Sequence, residues 1–486
     1  MRLVLINFPF RYETENIIRI FFPFEKLEYS DSNSGSGSFA ELKTDENNVL
    51  SVRININGSE YERKYSVPSP DDKETERLGA LGIYEILSEY TSYTPPWGIL
   101  TGVRPSKLMR SLIARSGEEC ARDYFENKLV VSSEKTSLAM EVARSEDRII
   151  SLSNDNSYSL YVSIPFCPTR CSYCSFVSHS ITQAKKLIPD YVRLLCKELE
   201  LTGKIAYDLG LRLETVYFGG GTPTSLSSED LKAITDAVKA NFDIKNAREY
   251  TVEAGRPDTL DEDKLRVLKN AGAGRISVNP QTFVDSVLKN IGRAHTSDDT
   301  VRAFMKAREV GFDNINMDLI AGLPGDNPDT FEMSVNKAIE LSAENITVHT
   351  LALKRASSLV TEGHIDSVSR DTVEMLSRSS KNLRSAGYAP YYMYRQSKCV
   401  GNNENVGYGK HDKECLYNIY MMEEVHTVLA AGAGAVTKLK DPGSNNVERI
   451  FNFKYPYEYI NRFDELNERK KRISEFYENE RTDVSV

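Results

Sequence analysis

The chain has 486 residues, 40% hydrophobic and 27% charged, and carries a net charge of −9, a balance that argues against a general binder of nucleic acid or of anionic membranes. No stretch approaches the roughly 20 apolar residues of a membrane span, and the opening "MRLVLINFPFRYETEN" lacks the apolar core of a signal peptide. A cytoplasmic protein with reduced cysteines and two to four domains is therefore expected, with no nucleic acid and no membrane among its partners.

Residues 1–150 read as an N-terminal α+β accessory domain. "MRLVLINF" and "VLSVRININ" are strand-like by their β-branched content, and the polar "SDSNSGSGS" between them reads as a surface loop. Helical patterns follow over "KETERLGALGIYEILSEYT" and "VSSEKTSLAMEVARSE". Between these, "YTPPWGILTGVRPSKLMRSLI" joins a Pro-rich turn to a helix and carries Trp97 beside Arg104, Lys107 and Arg110. That cluster reads either as a solvated face packing Trp97 or as a contact surface for an anion.

The small, polar "SLSNDNSYS" at 151–159 marks a boundary. Beyond it, residues 151–355 alternate short apolar runs with helical segments. The strand candidates are "SLYVSIPF", "ETVYFGGG", "YTVEAG", "GRISVNPQ", "NINMDLIAG" and "NITVHTL". Six βα units imply a parallel sheet, two short of a closed barrel, so an α/β fold with a partial (β/α)6 TIM-like barrel is expected, its chemistry at the C-terminal strand ends.

Residues 356–486 read as a C-terminal α+β and helical extension that covers the substrate. It offers a helix over "SVSRDTVEMLSRSSKNLRSAG", an aromatic strand "YAPYYMYRQ", a glycine- and asparagine-rich loop, a helix over "CLYNIYMMEEVHTVLAAG" and a charged amphipathic tail. The small-residue run "AAGAGAVTK" at 430–438 suits either the close approach of a flat ring or a tight turn between packed elements.

Of seven cysteines, Cys167, Cys171 and Cys174 fall within eight residues, in the loop after the first barrel strand. With His179 they offer a fourth ligand for zinc. Alternatively, an iron–sulfur cubane, which normally takes one cysteine per iron, keeps one iron open when only three are supplied. Cys399 and Cys415 have no metal-like spacing and read as ordinary thiols.

The Cys-x-x-x-Cys-x-x-Cys spacing, with Tyr173 before the last cysteine, resembles the signature of radical S-adenosylmethionine enzymes. The resemblance implies a 4Fe-4S cluster whose open iron chelates the amino and carboxylate groups of S-adenosylmethionine, and whose electron splits the sulfonium to give a 5′-deoxyadenosyl radical. "FGGGTPT" then supplies Gly220, Gly221 and Thr222 for the amino acid end of the cofactor, and Tyr161 lies on the strand leading to the cluster. Glu253 suits the ribose hydroxyls, and Gln281, Arg293 and Asp318 suit the same cofactor or a neighbouring second one, so one or two S-adenosylmethionine molecules are expected.

"LYVSIPFCPTRCSYCSF", "VYFGGGTPTSL", "VEAGRPDTL", "GAGRISVNPQTF", "IGRAHT" and "INMDLIAGLPGD" are together similar to the motif series of the oxygen-independent coproporphyrinogen III oxidase family. "TGVRPSKLMR", "YYMYRQ", "ENVGYGK" and "YNIYMMEEVHTVLAAGAGAVTK" resemble its HemZ-like branch. This resemblance implies an oxidoreductase of haem biosynthesis, a coproporphyrinogen dehydrogenase that turns two propionates of coproporphyrinogen III into the vinyl groups of protoporphyrinogen IX. It also implies a tetrapyrrole substrate and a reductase, flavodoxin or ferredoxin as electron donor. Lys354, Arg355, Tyr392, Tyr394 and Arg395 read either as partners of the substrate carboxylates or, for Lys354 and Arg355, as exposed loop charges and, for the tyrosines, as core packing. Two other readings of the family are a haem-binding chaperone and a radical tetrapyrrole methyltransferase or ring-opening enzyme. The chain departs from the oxidase pattern at Ser163, where the family has histidine, and at Asn279-Pro280, where it usually has Gly-Val; both departures bear on the substrate and on a second cofactor site.

Overall fold

The computed structural model describes residues 1–30, 37–174, 179–352, 365–396, 399–441, 443–444 and 446–483. The chain packs into two compact units. One comprises Met1–Ala143, Thr350–Val373 and Met393–Asn405; the other comprises Arg144–His349, Glu374–Tyr392 and Val406–Val486. Residues 356–486 are thus shared between the two units rather than forming a third body. Among the described residues no helix is long and apolar enough to cross a membrane.

The first unit is built on a five-stranded sheet of β1 (Arg2–Ile6), β2 (Glu28–Tyr29), β3 (Phe39–Thr44), β4 (Val49–Ile56) and β5 (Ser59–Ser66), in the order β2-β1-β3-β4-β5. In β4 every second residue, Leu50, Val52, Ile54 and Ile56, is buried, as the strand period of two requires. The helix Lys73–Thr91, capped by Asp72, lies so close to this face that a Cβ on Gly82 would fall 2.9 Å from Val52 Cγ2. Trp97 is buried and donates from Nε1 to Glu404 Oε2 at 2.7 Å, while Lys135 Nζ pairs with Glu404 Oε1 at 2.7 Å.

The second unit begins with β6 (Ser157–Ile164), followed by the short β7 (Phe166–Cys167) and β8 (His179–Ser180). Next come β9 (Arg212–Gly220), β10 (Glu249–Glu253), β11 (Arg275–Ser277), β12 (Ile315–Ala321) and β13 (Asn345–Thr350). The six barrel strands stand in chain order, β6-β9-β10-β11-β12-β13, and the pairings from β6 through β12 are parallel. Helices of the connecting segments, such as Ile188–Asp208, Ser228–Asn241 and Ser297–Glu309, start on side-chain caps or a proline. This is the expected open (β/α)6 barrel.

The C-terminal strands extend that sheet at both margins. β14 (Ala389–Arg395) and β15 (Glu404–Gly409) follow β13, with β15 antiparallel to it. β16 (Thr427–Ala431) pairs in parallel with β6, and β17 (Val436–Lys440) and β18 (Val447–Phe451) continue antiparallel. The helix expected over "CLYNIYMMEEVHTVLAAG" is therefore corrected. It runs only from Leu416 to Glu423, breaks at Glu424 in the left-handed region (φ 53°), and gives way to β16. The reason is tertiary: β6 offers an open edge, and every residue of β16 is buried against it.

The turn after β16 is held by a buried carboxylate. Glu198, on the helix Ile188–Asp208, accepts from Gly432 N at 2.8 Å, Asn452 Nδ2 at 2.8 Å and Tyr459 OH at 2.6 Å, and pairs with Lys470 Nζ at 3.0 Å. Gly432 sits where a Cβ would lie 2.4 Å from the Ser163 carbonyl oxygen, so "AAGAGAVTK" is a tight turn pressed onto β6. Glu198→Ala leaves the Lys470 ammonium buried without its carboxylate. The expected cost is about 3–5 kcal/mol, read as a lowered midpoint in urea denaturation.

The N-terminal ends of β10 and β11 are covered by the chain at 413–416. Arg275 Nη2 donates to the carbonyls of Lys413 and Glu414 at 2.6 and 2.7 Å. Glu249 accepts from Leu416 N at 2.8 Å, at the start of the helix Leu416–Glu423, where an anion is favoured. Chemistry in such a barrel gathers at the C-terminal strand ends.

Candidate active site

The cysteine loop is pinned to its neighbours by backbone contacts. β7 pairs with β8, Cys167 opposite Ser180, and Ser172 N donates to the Ile291 carbonyl at 3.2 Å. Cys174 N donates to the Cys171 carbonyl at 3.2 Å, which folds the last two thiols into one turn. The glycine run is zipped onto the same loop: Gly221 N reaches the Ile164 carbonyl and Thr222 N the Phe166 carbonyl, each at 2.7 Å. Gly220 has φ +103°, open to glycine but strained for other residues. A Cβ on Gly221 would lie 2.5 Å from the Phe166 carbonyl oxygen and 3.0 Å from Cys167 Sγ. Gly221→Ala is therefore expected to displace the cysteine loop, costing about 1–3 kcal/mol, and to lower iron uptake on anaerobic reconstitution, read by iron content.

Cys171 is buried, and Cys167 and Cys174 are half-buried; none of the three is in a disulfide. Thr222 Oγ1 lies 3.5 Å from Cys167 Sγ and Arg256 Nη1 3.7 Å from Cys171 Sγ, so donors already face two of the sulfurs. Among the described residues no three His, Cys, Asp or Glu side chains converge on a point suited to a single metal ion. His179 packs its ring edge-on to Tyr455 at 6.1 Å, which disfavours the Cys3His zinc reading. A cubane needs no such convergence, because each thiolate takes its own iron. Two of the thiolate sulfurs would find donors facing them.

Inside the barrel, alternate residues of successive strands form a polar layer. Tyr161 of β6 stands opposite Tyr217 of β9, and both stack with Tyr417, the Tyr217 and Tyr417 centroids being 4.3 Å apart. Tyr217 donates to Glu253 Oε1 at 2.6 Å. Burial above all, with the Asp318 charge adding to it, pushes the Glu253 carboxyl up to about 7, against the hydrogen bond from Tyr217. Asp318 is equally enclosed, and burial raises its pKa, but His349, Asn316 and Thr347 outweigh that and hold it below the ordinary carboxylate value. Asn279 clamps it twice: Nδ2 donates to Oδ2 at 2.7 Å, and Oδ1 accepts from the Asp318 N–H at 3.2 Å. The two carboxyls are thereby driven apart in proton affinity.

Gln281 adopts φ +69° and bridges to β12, its N–H donating to the Asp318 carbonyl at 2.9 Å. Arg293 ties strand ends to the cysteine loop through Asn279 O at 2.8 Å and Tyr173 OH at 3.0 Å. Its Nε, buried, has no partner among the described residues. Burial raises the Tyr173 phenol well above its usual value, so it stays protonated. The cysteines, Tyr161, Tyr173, Gly220, Gly221, Thr222, Glu253, Gln281, Arg293 and Asp318 all belong to the second unit, on the barrel strands and the loops that follow them.

The residues expected to meet substrate are differently placed. Lys354 and Arg355 lie outside the described residues. Tyr392 is buried against β15, where a Cβ on Gly407 would lie 2.1 Å from its ring. Tyr394 is half-buried, within 3.5 Å of Gln396 Nε2. Arg395 is committed to the chain at 100–102, donating from Nη2 to Gly102 O at 2.6 Å and stacking over Trp97 at 5.2 Å; burial brings its pKa down to about 10. Ser163 donates to the Ala433 carbonyl at 2.8 Å and so serves the β16–β17 turn. Sequence reasoning passed over Tyr217, His349, Tyr417 and Arg256. The first two were visible as every-second-residue companions, Tyr217 with Gly219 and His349 with Thr347; the others sit where only the fold brings them.

Residues 161–338 match the Radical SAM superfamily. The oxygen-independent coproporphyrinogen-III oxidase-like protein HemZ of Bacillus subtilis is 35% identical over 481 residues, covering 96% of this chain and 95% of its own. The heme chaperone HemW of Bacillus subtilis is 41% identical over 200 residues, which is 40% of this chain and 51% of that protein. Among solved structures, coproporphyrinogen III oxidase (HemN) from Escherichia coli superposes with a TM-score of 0.51 at 23% identity, covering 67% of this chain and 73% of that one, and shares the fold. A match that runs nearly end to end, over a barrel carrying three clustered thiols, settles the assignment: the chain belongs to the HemZ family of oxygen-independent coproporphyrinogen-III oxidase-like proteins, within the radical SAM superfamily, whose cofactors are a 4Fe-4S cluster and S-adenosylmethionine.

Proposed function

We propose that this protein is a radical S-adenosylmethionine oxidoreductase that decarboxylates the propionates of coproporphyrinogen III to vinyl groups without oxygen. The observation that carries the reading is the polar layer at the barrel mouth, in which Tyr217 donates to Glu253 and Asn279 clamps Asp318 on the strands beside the cysteine loop. When bound, the cluster and S-adenosylmethionine supply a primary carbon radical able to take hydrogen from an unactivated carbon.

The chain's own residues do the rest. Cys167, Cys171 and Cys174 hold three irons, with Thr222 Oγ1 and Arg256 Nη1 directed at their sulfurs. Gly220 and Gly221 expose backbone to the cofactor's amino acid end. Glu253 and Tyr217 face the ribose hydroxyls, while Arg293 spans the mouth from Tyr173 to Asn279. Tyr161, Tyr217 and Tyr417 floor the site and exclude water from below.

The similarity to HemW favours a second reading, a haem-binding chaperone. It covers 40% of this chain, whereas the similarity to the oxidase-like HemZ covers 96%, and this difference supports the enzymatic reading. Anaerobic incubation of the reconstituted protein with S-adenosylmethionine, dithionite and coproporphyrinogen III, followed by mass analysis, decides between them. Loss of two carbon dioxide molecules and four hydrogens per tetrapyrrole is expected. An unchanged porphyrinogen alongside haem transfer to an apoprotein would establish the chaperone instead.

A further inference from the structure

Arg256 opens the turn Pro257–Thr259 that follows β10 and is only 3% exposed. A buried guanidinium is costly unless paired. Asp258 meets it fork to fork, with Nε to Oδ1 at 2.9 Å and Nη2 to Oδ2 at 2.8 Å. Nη1 is left over and faces the cysteine loop, 3.1 Å from Thr169 Oγ1 and 3.7 Å from Cys171 Sγ. The barrel thus delivers one fixed positive charge to a cluster sulfur, and one fixed negative charge directly behind it.

We propose that Arg256 sets the reduction potential of the iron–sulfur centre held by Cys167, Cys171 and Cys174, with Asp258 as its opposing charge. The inference rests on the reading that these thiols hold the cluster. Taking one electron from an external reductant such as dithionite carries a 4Fe-4S centre from the 2+ to the 1+ level and adds one negative charge, spread partly over the thiolate sulfurs. A buried guanidinium within hydrogen-bond reach of one sulfur favours that reduced level, since hydrogen bonds to sulfur and net charge tune such centres. Being buried, it is little screened by salt. Asp258 works in the opposite sense, so the two residues carry opposite signs in their effect on the same quantity.

The full chain, reconstituted anaerobically as wild type, Arg256→Gln, Arg256→Lys and Asp258→Asn, is titrated with dithionite against redox mediators. The reduced centre is followed by electron paramagnetic resonance, with iron and sulfide counted in each sample. At a fixed solution potential the reduced-to-oxidised ratio is expected to fall about tenfold in Arg256→Gln, equivalent to about 59 mV for a one-electron couple. It is expected to rise in Asp258→Asn and to recover partly in Arg256→Lys. Should Arg256→Gln not retain iron, the direction of the Asp258→Asn shift decides alone. Unmoved potentials in loaded variants would overturn the proposal. So would shifts of Arg256→Gln and Asp258→Asn in the same direction, which is what mere loosening of the turn would produce. A wild type that takes up no iron overturns the cluster reading itself and this inference with it.

Discussion

Cys171→Ala is expected to abolish formation of 5′-deoxyadenosine from S-adenosylmethionine, by at least about 1,000-fold, or about 4 kcal/mol of lost transition-state stabilisation. Cys171 is the most enclosed of the three clustered thiols: it is 9% exposed, its carbonyl receives the Cys174 N–H, and its sulfur faces Arg256. Removing it leaves two thiolates for four irons and takes away the sulfur that Arg256 Nη1 faces. The effect should therefore be read in two ways, as lost iron and as lost cleavage. Cys120, exposed on the helix Pro105–Asp123, supplies the control; its replacement by alanine should leave both unchanged.

Glu253→Gln should change how the protein responds to pH. In the wild type the carboxyl ionises near 7, because burial and the neighbouring Asp318 oppose its charge. On the proposed reading the carboxylate accepts from the ribose hydroxyls, so affinity for S-adenosylmethionine should rise as pH rises through 7 and level off above it. Glutamine cannot ionise. The variant should show a flat profile and bind about 10–100-fold more weakly at pH 8, the range expected when a charged acceptor is lost. The ligand-free protein should respond in the opposite sense. A folded-state pKa of about 7 against the ordinary 4.5 means that the fold holds more protons than the unfolded chain between those values. Stability should therefore fall as pH rises through that window and level off above it, and the glutamine variant should lack this slope. Equilibrium binding and urea denaturation from pH 5 to 9 test both statements.

The barrel was legible because most of its strands are short runs with β-branched residues, closed by glycine or by a polar residue at the mouth, and because parallel βα units leave little choice of order. The cysteine loop and the glycine run were legible for a related reason: spacing alone brings successive strand ends together. What the C-terminal residues do was not legible, because it depends on pairing with strands far away in the chain. "VHTVLAA" continues a helical pattern on paper, yet β6 recruits it as a strand some 270 residues from its partner. Arg395 shows the same limit. A lone arginine on an aromatic strand suits a carboxylate substrate, but its Nε and Nη2 are taken by the carbonyls at Leu100 and Gly102, while Nη1 has no partner among the described residues. Asn279 stood out as a departure from the family pattern, but the reason for it, two hydrogen bonds to Asp318 on the next strand, needed the fold.

The central claim is that three thiols hold a cubane with one iron left for S-adenosylmethionine. Electron paramagnetic resonance of the anaerobically reconstituted, dithionite-reduced protein, recorded before and after addition of S-adenosylmethionine, tests it most directly. A signal from a reduced 4Fe-4S centre whose g values move when S-adenosylmethionine is added is the predicted result. A protein that stays silent and holds zinc, or a cluster signal indifferent to S-adenosylmethionine, would contradict it.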